Sequence, residues 1–342
     1  MRVLVTGGAG FIGSNFIEYF CQKYPKYVVV NLDTLTYAGD LNNLDGILSK
    51  NYHFIKGNIC DASLVDEIFR DFNINCVVHF AAESHVDNSI KQPSVFVDTN
   101  IKGTFILLDT AFKTWFDAPH CAKKGFESHR FCHISTDEVF GSILCGKFSE
   151  TSPYAPNSPY SASKAASDML VRSYFHTYGL QTFITNCSNN YGPKQHSEKL
   201  IPTIIKNAIL KNKIPIYGDG RNVRDWLFVK DHCIAIDKVL HSSYFGESFN
   251  IGGNCEKQNL ELAFEICEIL DFIYPRSDGI SYKTQIDFVQ DRLGHDRRYA
   301  VDTAKIQEKL GWNMTSYKQN LLTTIKWYLN AYAISAGGGG GI

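Results

Sequence analysis

Short apolar, β-branched runs alternate with helix-length segments over the first half of the chain, and that rhythm restricts the fold more than any other feature. "RVLVTG" (2–7), "YVVVNLD" (27–33), "YHFIKGNI" (52–59), "CVVHFAA" (76–82) and "RFCHIST" (130–136) read as strands. "GSNFIEYFCQKY" (13–24) has helical spacing, "ASLVDEIFRDF" (62–72) follows a cap at Asp61, and a long helix spans about 94–115. Strands apolar along nearly their whole length must be covered on both faces, which calls for a parallel sheet between two helix layers. Right-handed crossovers then make a doubly wound α/β fold. The segment 117–129, containing "DAPHCAKKGFES", breaks the rhythm and reads as an inserted surface loop.

Beyond about residue 185 the texture changes: Pro, Gly and Asn become frequent, and amphipathic helices are expected at 201–212, 258–272 and 303–310. The expectation is a Rossmann-like first lobe, 1–185 with about 222–245, and a smaller C-terminal α+β lobe for substrate, 186–221 and 246–332. The glycine-rich end, 333–342, is read as a flexible tail. Net charge is −1 with both signs mixed, so nothing marks a nucleic-acid or membrane partner. The ten cysteines are scattered, with no C-x-x-C pair, which suits buried reduced thiols in the cytoplasm rather than a disulfide framework or a metal site. "MRVLVTGG" enters a strand at once, unlike a signal peptide, and no apolar run reaches the roughly 18 residues of a membrane span.

"VTGGAGFIG" sets Gly7, Gly10 and Gly13 between the first strand and first helix. Glycines there allow a tight turn and close approach of backbone to a pyrophosphate at the helix N-terminus. Asp33 ends the second strand where a ribose-binding acid belongs, and its charge would repel a 2′-phosphate, so NAD is expected rather than NADP. Asn58 and Ile59 would flank the adenine. "AAESHVDNS" (81–89) would run under the dinucleotide, with His85 and Asp87 read as loop polar residues because no third metal ligand has suitable spacing.

"SPYSASKAASDML" carries Tyr160 and Lys164 at i and i+4 behind Pro159, on one face of a helix. A tyrosine becomes a base near neutral pH only if positive charge stabilises its phenolate, which an adjacent ammonium and a nicotinamide ring can do. "HISTDEVFG" (133–141) places Asp137 and Glu138 side by side behind Thr136. Together with "DTLTYAGDLNNL", "SNNYGP", "EKLIP", "PIYGDG", "RDWLFV" and "GHDRRYA", these stretches resemble the nucleotide-sugar 4,6-dehydratases of the extended short-chain dehydrogenase/reductase superfamily.

That resemblance implies a hydro-lyase that converts dTDP-glucose to dTDP-4-keto-6-deoxyglucose, with tightly held NAD regenerated each turnover. UDP- and CDP-glucose remain open as substrates, and a sugar-nucleotide 4-epimerase shares every motif except Thr136-Asp137-Glu138. It implies Tyr160, Lys164 and Thr136 for C4 oxidation, Glu138 as base at C5 and Asp137 as acid at the C6 hydroxyl. The NAD site is completed by Phe11, Ile12, Thr34, Ala81, Ala82, Ser84, Thr99 and Asn190. The nucleotide sugar is expected against Ser84, Asn189, Lys199, Leu200, Pro215, Ile216, Tyr217, Arg224, Asn259, Asp291, Arg292 and His295. A homodimer packing the 94–115 helix and the Tyr160 helix across a two-fold is implied too. The chain departs from the family pattern at Asn58 (usually Asp), Phe140 (usually Tyr, so a hydroxyl near the site is lost) and Leu293 (usually Pro).

Overall fold

The computed structural model describes residues 1–47, 49–291 and 294–337. Its first half runs β1 (Arg2–Thr6), α1 (Phe11–Lys23), β2 (Val28–Asp33), β3 (Tyr52–Lys56), α2 (Ala62–Phe72) and β4 (Cys76–His79). There follow α3 (Val86–Lys91), α4 (Pro93–Phe96), a π-helical run Val97–Gly103, and α5 (Thr104–Trp115). A short ribbon of β5 (Phe116–Ala118) and β6 (Cys121–Ala122) leads to β7 (Arg130–Thr136), α6 (Pro159–Tyr178) and β8 (Thr182–Cys187). The second half contains β9 (Asn189–Tyr191), α7 (Leu200–Ile209), β10 (Ile214–Tyr217), β11 (Val223–Phe228), α8 (Val229–Leu240) and β12 (Ser248–Ile251). It ends with β13 (Glu256–Gln258), α9 (Asn259–Ile273), β14 (Ile286–Val289), α10 (Ala304–Leu310) and α11 (Tyr317–Gly337).

Seven parallel strands in the order β12-β8-β7-β4-β1-β2-β3 form the central sheet. Its two faces carry separate cores. Phe16, Ile17 and Phe20 of α1 pack with Val3, Val5 and Val29 on one side, and Val65, Ile68, Phe69 and Leu107 pack with Leu4, Val30 and Val77 on the other. Each such side chain, fully withdrawn from water, contributes about 1.5–3 kcal/mol. Local signals set the helix ends. Asp61 accepts from the Leu64 amide to open α2, and Asn73 closes it at φ 49°. Ser158 caps α6 in front of Pro159, and Gly179 ends that helix at φ 80°. The strands therefore deliver their C-terminal ends to one edge, where α1 and α6 also begin or pass.

Several features differ from the sequence reading. β12 falls within 246–332 but pairs with β8 as an edge strand of the central sheet, so that stretch does not belong wholly to a second lobe. β11 pairs with β9 and β13 in a separate three-stranded sheet, while α8, which follows it, packs on α1. The 117–129 excursion is not wholly a loop: it includes the β5–β6 ribbon, and His129 is buried, with its Nε2 accepting from the Gln181 amide at 3.1 Å. Residues 333–337, read as part of a flexible tail, continue α11, and 338–342 lie outside the described residues.

Candidate active site

The C-terminal ends of β1, β2, β4, β7 and β8 open into a cleft of about 460 Å³. At its floor Gly7 holds φ +71°, and a Cβ there would stand 2.6 Å from the Ala81 amide nitrogen. A Cβ on Gly13 would stand 2.3 Å from the Gly7 carbonyl oxygen. Backbone, not a yielding side chain, excludes any larger residue at both positions. α1 starts at Gly10 with no side-chain cap and no acid in its first turn, which leaves its amides for an anionic ligand. Asp33 Oδ2 accepts from the Ala9 amide and Oδ1 from the Leu35 amide, each at 2.8 Å. The carboxylate thus braces the glycine loop and keeps acceptor capacity for ribose hydroxyls. The cradle fits a dinucleotide. Every residue expected to hold it, from Gly7 and Asp33 through Thr99 of the π-helical run to Asn190, lines this cleft. Asn190 is oriented from behind: His232 Nδ1 lies 2.9 Å from its Oδ1, and burial pushes that imidazole down to about 3, so the ring is neutral.

The residues expected to react gather where β7 ends. Thr136 caps the turn that follows, accepting from the Glu138 amide at 3.2 Å, and its hydroxyl lies 3.3 Å from Asp137 Oδ1. Asp137 is 2% exposed, and its Oδ2 has no hydrogen-bond partner in the protein. Burial, then the neighbouring Glu138 and Asp225, holds its carboxyl well above the usual range and so favours its protonated form. Tyr160 faces Thr136 from α6, within hydrogen-bonding reach. Burial and the Glu138 charge push its phenol well up in the protein alone, so its deprotonation depends on positive charge brought nearby. One turn further, Lys164 Nζ donates to the Ile134 carbonyl at 2.7 Å, and burial lowers its pKa.

A second cleft of about 240 Å³ adjoins the first, and Ser84, Glu138, Asn189, Asn190 and Lys199 line both. Leu200, Pro215, Tyr217, Arg224, Asn259 and His295 line the second. Arg224 is 7% exposed, donates to the Val223 and Asp296 carbonyls at 2.8 and 3.0 Å, and lies 4.5 Å above the Tyr299 ring. No ion pair with a carboxylate involves it among the described residues. A buried guanidinium held only by carbonyls and a ring face suits an anionic ligand.

Two expected substrate residues are placed otherwise. Ile216 is 1% exposed in the core, because side chains alternate along β10 and only Pro215 and Tyr217 face the cleft. Asp291 is not in the cleft wall but holds His295 Nδ1 at 2.6 Å, acting through that ring. Arg292 lies outside the described residues, as does Leu293. Phe140 is 2% exposed, stacks on Phe148 and lines neither cleft. Sequence reasoning missed Glu198 and Tyr299. Glu198 lines both clefts, ringed by His85, His196 and Lys199 at 3.8, 3.6 and 3.9 Å. It heads the "EKLIP" stretch, where only Lys199 and Leu200 are read as binding residues. Tyr299 donates to Asp296 Oδ2 at 2.6 Å beneath Arg224, and stood unremarked in "GHDRRYA".

A dinucleotide cradle joined through a Tyr–Lys pair and an acid pair to a second, anion-seeking cleft is the arrangement of an extended short-chain dehydrogenase/reductase working on sugar nucleotides. Residues 4–325 match the model of the GDP-mannose 4,6 dehydratase family, and the chain belongs to that family. It is 51% identical over 329 residues to a dTDP-glucose 4,6-dehydratase of Xanthomonas campestris pv. campestris (strain B100), covering 95% of this chain and 92% of that one. The crystal structure of the dTDP-glucose 4,6-dehydratase DesIV from Streptomyces venezuelae, with NAD and TYD bound, superposes with a TM-score of 0.87 at 42% identity, covering 97% of this chain and 98% of that one. A UDP-glucose 4-epimerase from Thermotoga maritima with UDP-glucose gives 0.85 at 27% identity, covering 97% and 100%. The fold is thus common to dehydratases and epimerases, and the site must separate them.

Proposed function

We infer that this chain is an NAD-dependent dTDP-glucose 4,6-dehydratase, a hydro-lyase that removes water from the sugar. The observation that carries the reading is the buried Asp137, its Oδ2 unpartnered, beside Glu138 at the seam of the two clefts. An epimerase needs only to oxidise and reduce C4, and has no use for an acid–base pair there. Relatives at about half identity over almost the whole chain carry the same name.

Bound NAD supplies the acceptor for hydride from C4 and, once reduced, the donor for C6. The rest is done by the protein. Tyr160, with Lys164 behind it and Thr136 beside it, takes the proton of the C4 hydroxyl. The resulting ketone acidifies C5, and Glu138 removes that proton and returns it to C5 when C6 is reduced. Asp137 gives its proton to the leaving C6 hydroxyl, so one carboxyl acts as base and the other as acid. Arg224, Asn189 and Lys199 hold the diphosphate, and Leu200, Pro215, Tyr217, Asn259 and His295 hold the nucleoside.

The protein works as a homodimer in this reading: Val97 and Phe105 on the run from α4 to α5 and Met169 on α6 are 44–52% exposed, apolar side chains on the two helices expected to meet a second copy. Ten unpaired thiols suit a reducing cytoplasm, and no described helix is long and apolar enough to cross a membrane. Incubation of the purified protein with dTDP-glucose or UDP-glucose, read by mass spectrometry and proton NMR, tests the function: loss of one water from the dTDP sugar supports it, and interconversion at C4 without water loss, seen by NMR, supports an epimerase.

A further inference from the structure

We propose that Asp168 is a positioning residue for this reaction: buried one turn beyond Lys164 on α6, with the His133 ring between them, it supplies the counter-charge that keeps the Lys164 ammonium beside Tyr160. The inference rests on the dehydratase reading and adds a group that touches neither sugar nor cofactor.

Lys164, His133 and Asp168 are all sealed, at 4%, 0% and 0% exposure. His133 Nε2 stands 3.5 Å from Lys164 Nζ and 3.2 Å from Asp168 Oδ1. The carboxylate is fixed on its other oxygen, which accepts from Ser135 Oγ at 2.8 Å and Tyr154 OH at 2.9 Å, with Asn186 Nδ2 at 3.5 Å. Four elements thus converge on Asp168: its own helix, β7, β8 and the segment before α6. A buried ammonium with one carbonyl acceptor loses its proton readily unless a negative charge faces it.

The imidazoles, thiol and phenol packed around Lys164 are uncharged. Burial drives His133 and the neighbouring His79 of β4 well down, so both rings are neutral. Burial pushes the Cys187 thiol of β8 up to about 12 and the Tyr154 phenol up as well. Burial favours the protonated form of Asp137, and Glu138 faces Tyr160 and the clefts. Arg172, a turn further along α6, adds positive charge. Asp168 itself is raised by burial to about 6, so it is ionised at neutral pH, and it is the carboxylate that acts on Lys164. The arrangement keeps a cation in a dry site, where it stabilises the Tyr160 phenolate.

The test follows the rate of reduced-cofactor formation from dTDP-glucose by the holoenzyme across roughly pH 6–10. In the native protein the alkaline limb, where Lys164 loses its proton, is expected above about pH 8 despite full burial. Asp168→Asn is expected to move that limb down by about one pH unit or more, because burial then acts unopposed. Tyr154→Phe and Asp168→Glu keep the charge and should leave the limb in place. An Asp168→Asn protein that is uniformly slower with an unmoved limb overturns the proposal, since a merely structural role does that. Should Asp168→Asn fail to fold, the native limb decides: a fall already complete near pH 7 shows Lys164 uncompensated and overturns the proposal. A native protein that oxidises no sugar at any pH overturns the dehydratase reading and this inference with it; oxidation with an unmoved limb overturns this inference alone.

Discussion

Asp137 and Glu138 are consecutive in the chain but occupy different surroundings: Asp137 is sealed with Oδ2 unpartnered, whereas Glu138 is partly exposed and faces both clefts. The turn that starts at Thr136 separates them, sending one side chain into the interior and the other toward the seam. Asp137→Asn with Glu138→Gln should leave C4 oxidation intact and block elimination, each group accounting for about 10²–10⁴ in rate. Accumulation of reduced-cofactor absorbance without 6-deoxy product is the expected result. Full product formation would remove both acids from the reaction.

Arg224 carries the second prediction. Arg224→Met keeps most of the packing on Tyr299 and removes the charge. It should raise KM for the nucleotide sugar by about 10–100-fold, the worth of one or two charge-assisted hydrogen bonds, with the cofactor still bound. Steady-state kinetics on dTDP-glucose check it, and an unchanged KM would place the diphosphate elsewhere.

Asp237 ties α8 to α1, with Lys23 Nζ at 2.6 Å, Tyr19 OH at 2.7 Å and His241 Nδ1 at 2.9 Å. These partners outweigh the burial that opposes them and hold its carboxyl down at about 2. Since the folded pKa lies below the unfolded one, the stabilisation is full above about pH 4 and disappears as pH falls toward 2. Asp237→Asn should therefore lower the melting temperature at neutral pH and flatten its fall between about pH 4 and 2, measured by circular dichroism. An unchanged acid slope would show that the shift carries no stability.

The apolar face on α5 and α6 gives the fourth. Phe105→Glu with Met169→Glu puts charge on the surface proposed to meet a second copy, and should convert a dimer to a monomer in sedimentation. A dimer that survives both changes uses another surface.

How much of this was legible depended on the range of the interactions involved. The glycine loop, Asp33, the Tyr160–Lys164 spacing and the acid pair are local patterns whose chemistry needs those residues in sequence, and the structure gathers them at one sheet edge. β8 and β12 were not read, because "TFITNC" and "SFNI" carry Asn and Thr within short runs and gain their identity only by pairing with each other and with β7. Ile216 was misplaced because a motif names a stretch, whereas strand alternation decides which of its side chains face the ligand. Glu198 and Tyr299 become visible only when loops distant in sequence meet around Arg224 and Lys199. Asp168 looked like one more polar residue on a helix; its meaning lies in what β7 and β8 place against it.

The most direct test of the whole account needs no variant. The purified protein is incubated with dTDP-glucose, with no NAD added, and water loss is followed by mass spectrometry. Conversion of the dTDP sugar to its 4-keto-6-deoxy form is the expected result if, as proposed, the cradle retains a cofactor that each cycle regenerates. No loss of water, even with NAD supplied, would contradict the roles given to Asp137 and Glu138.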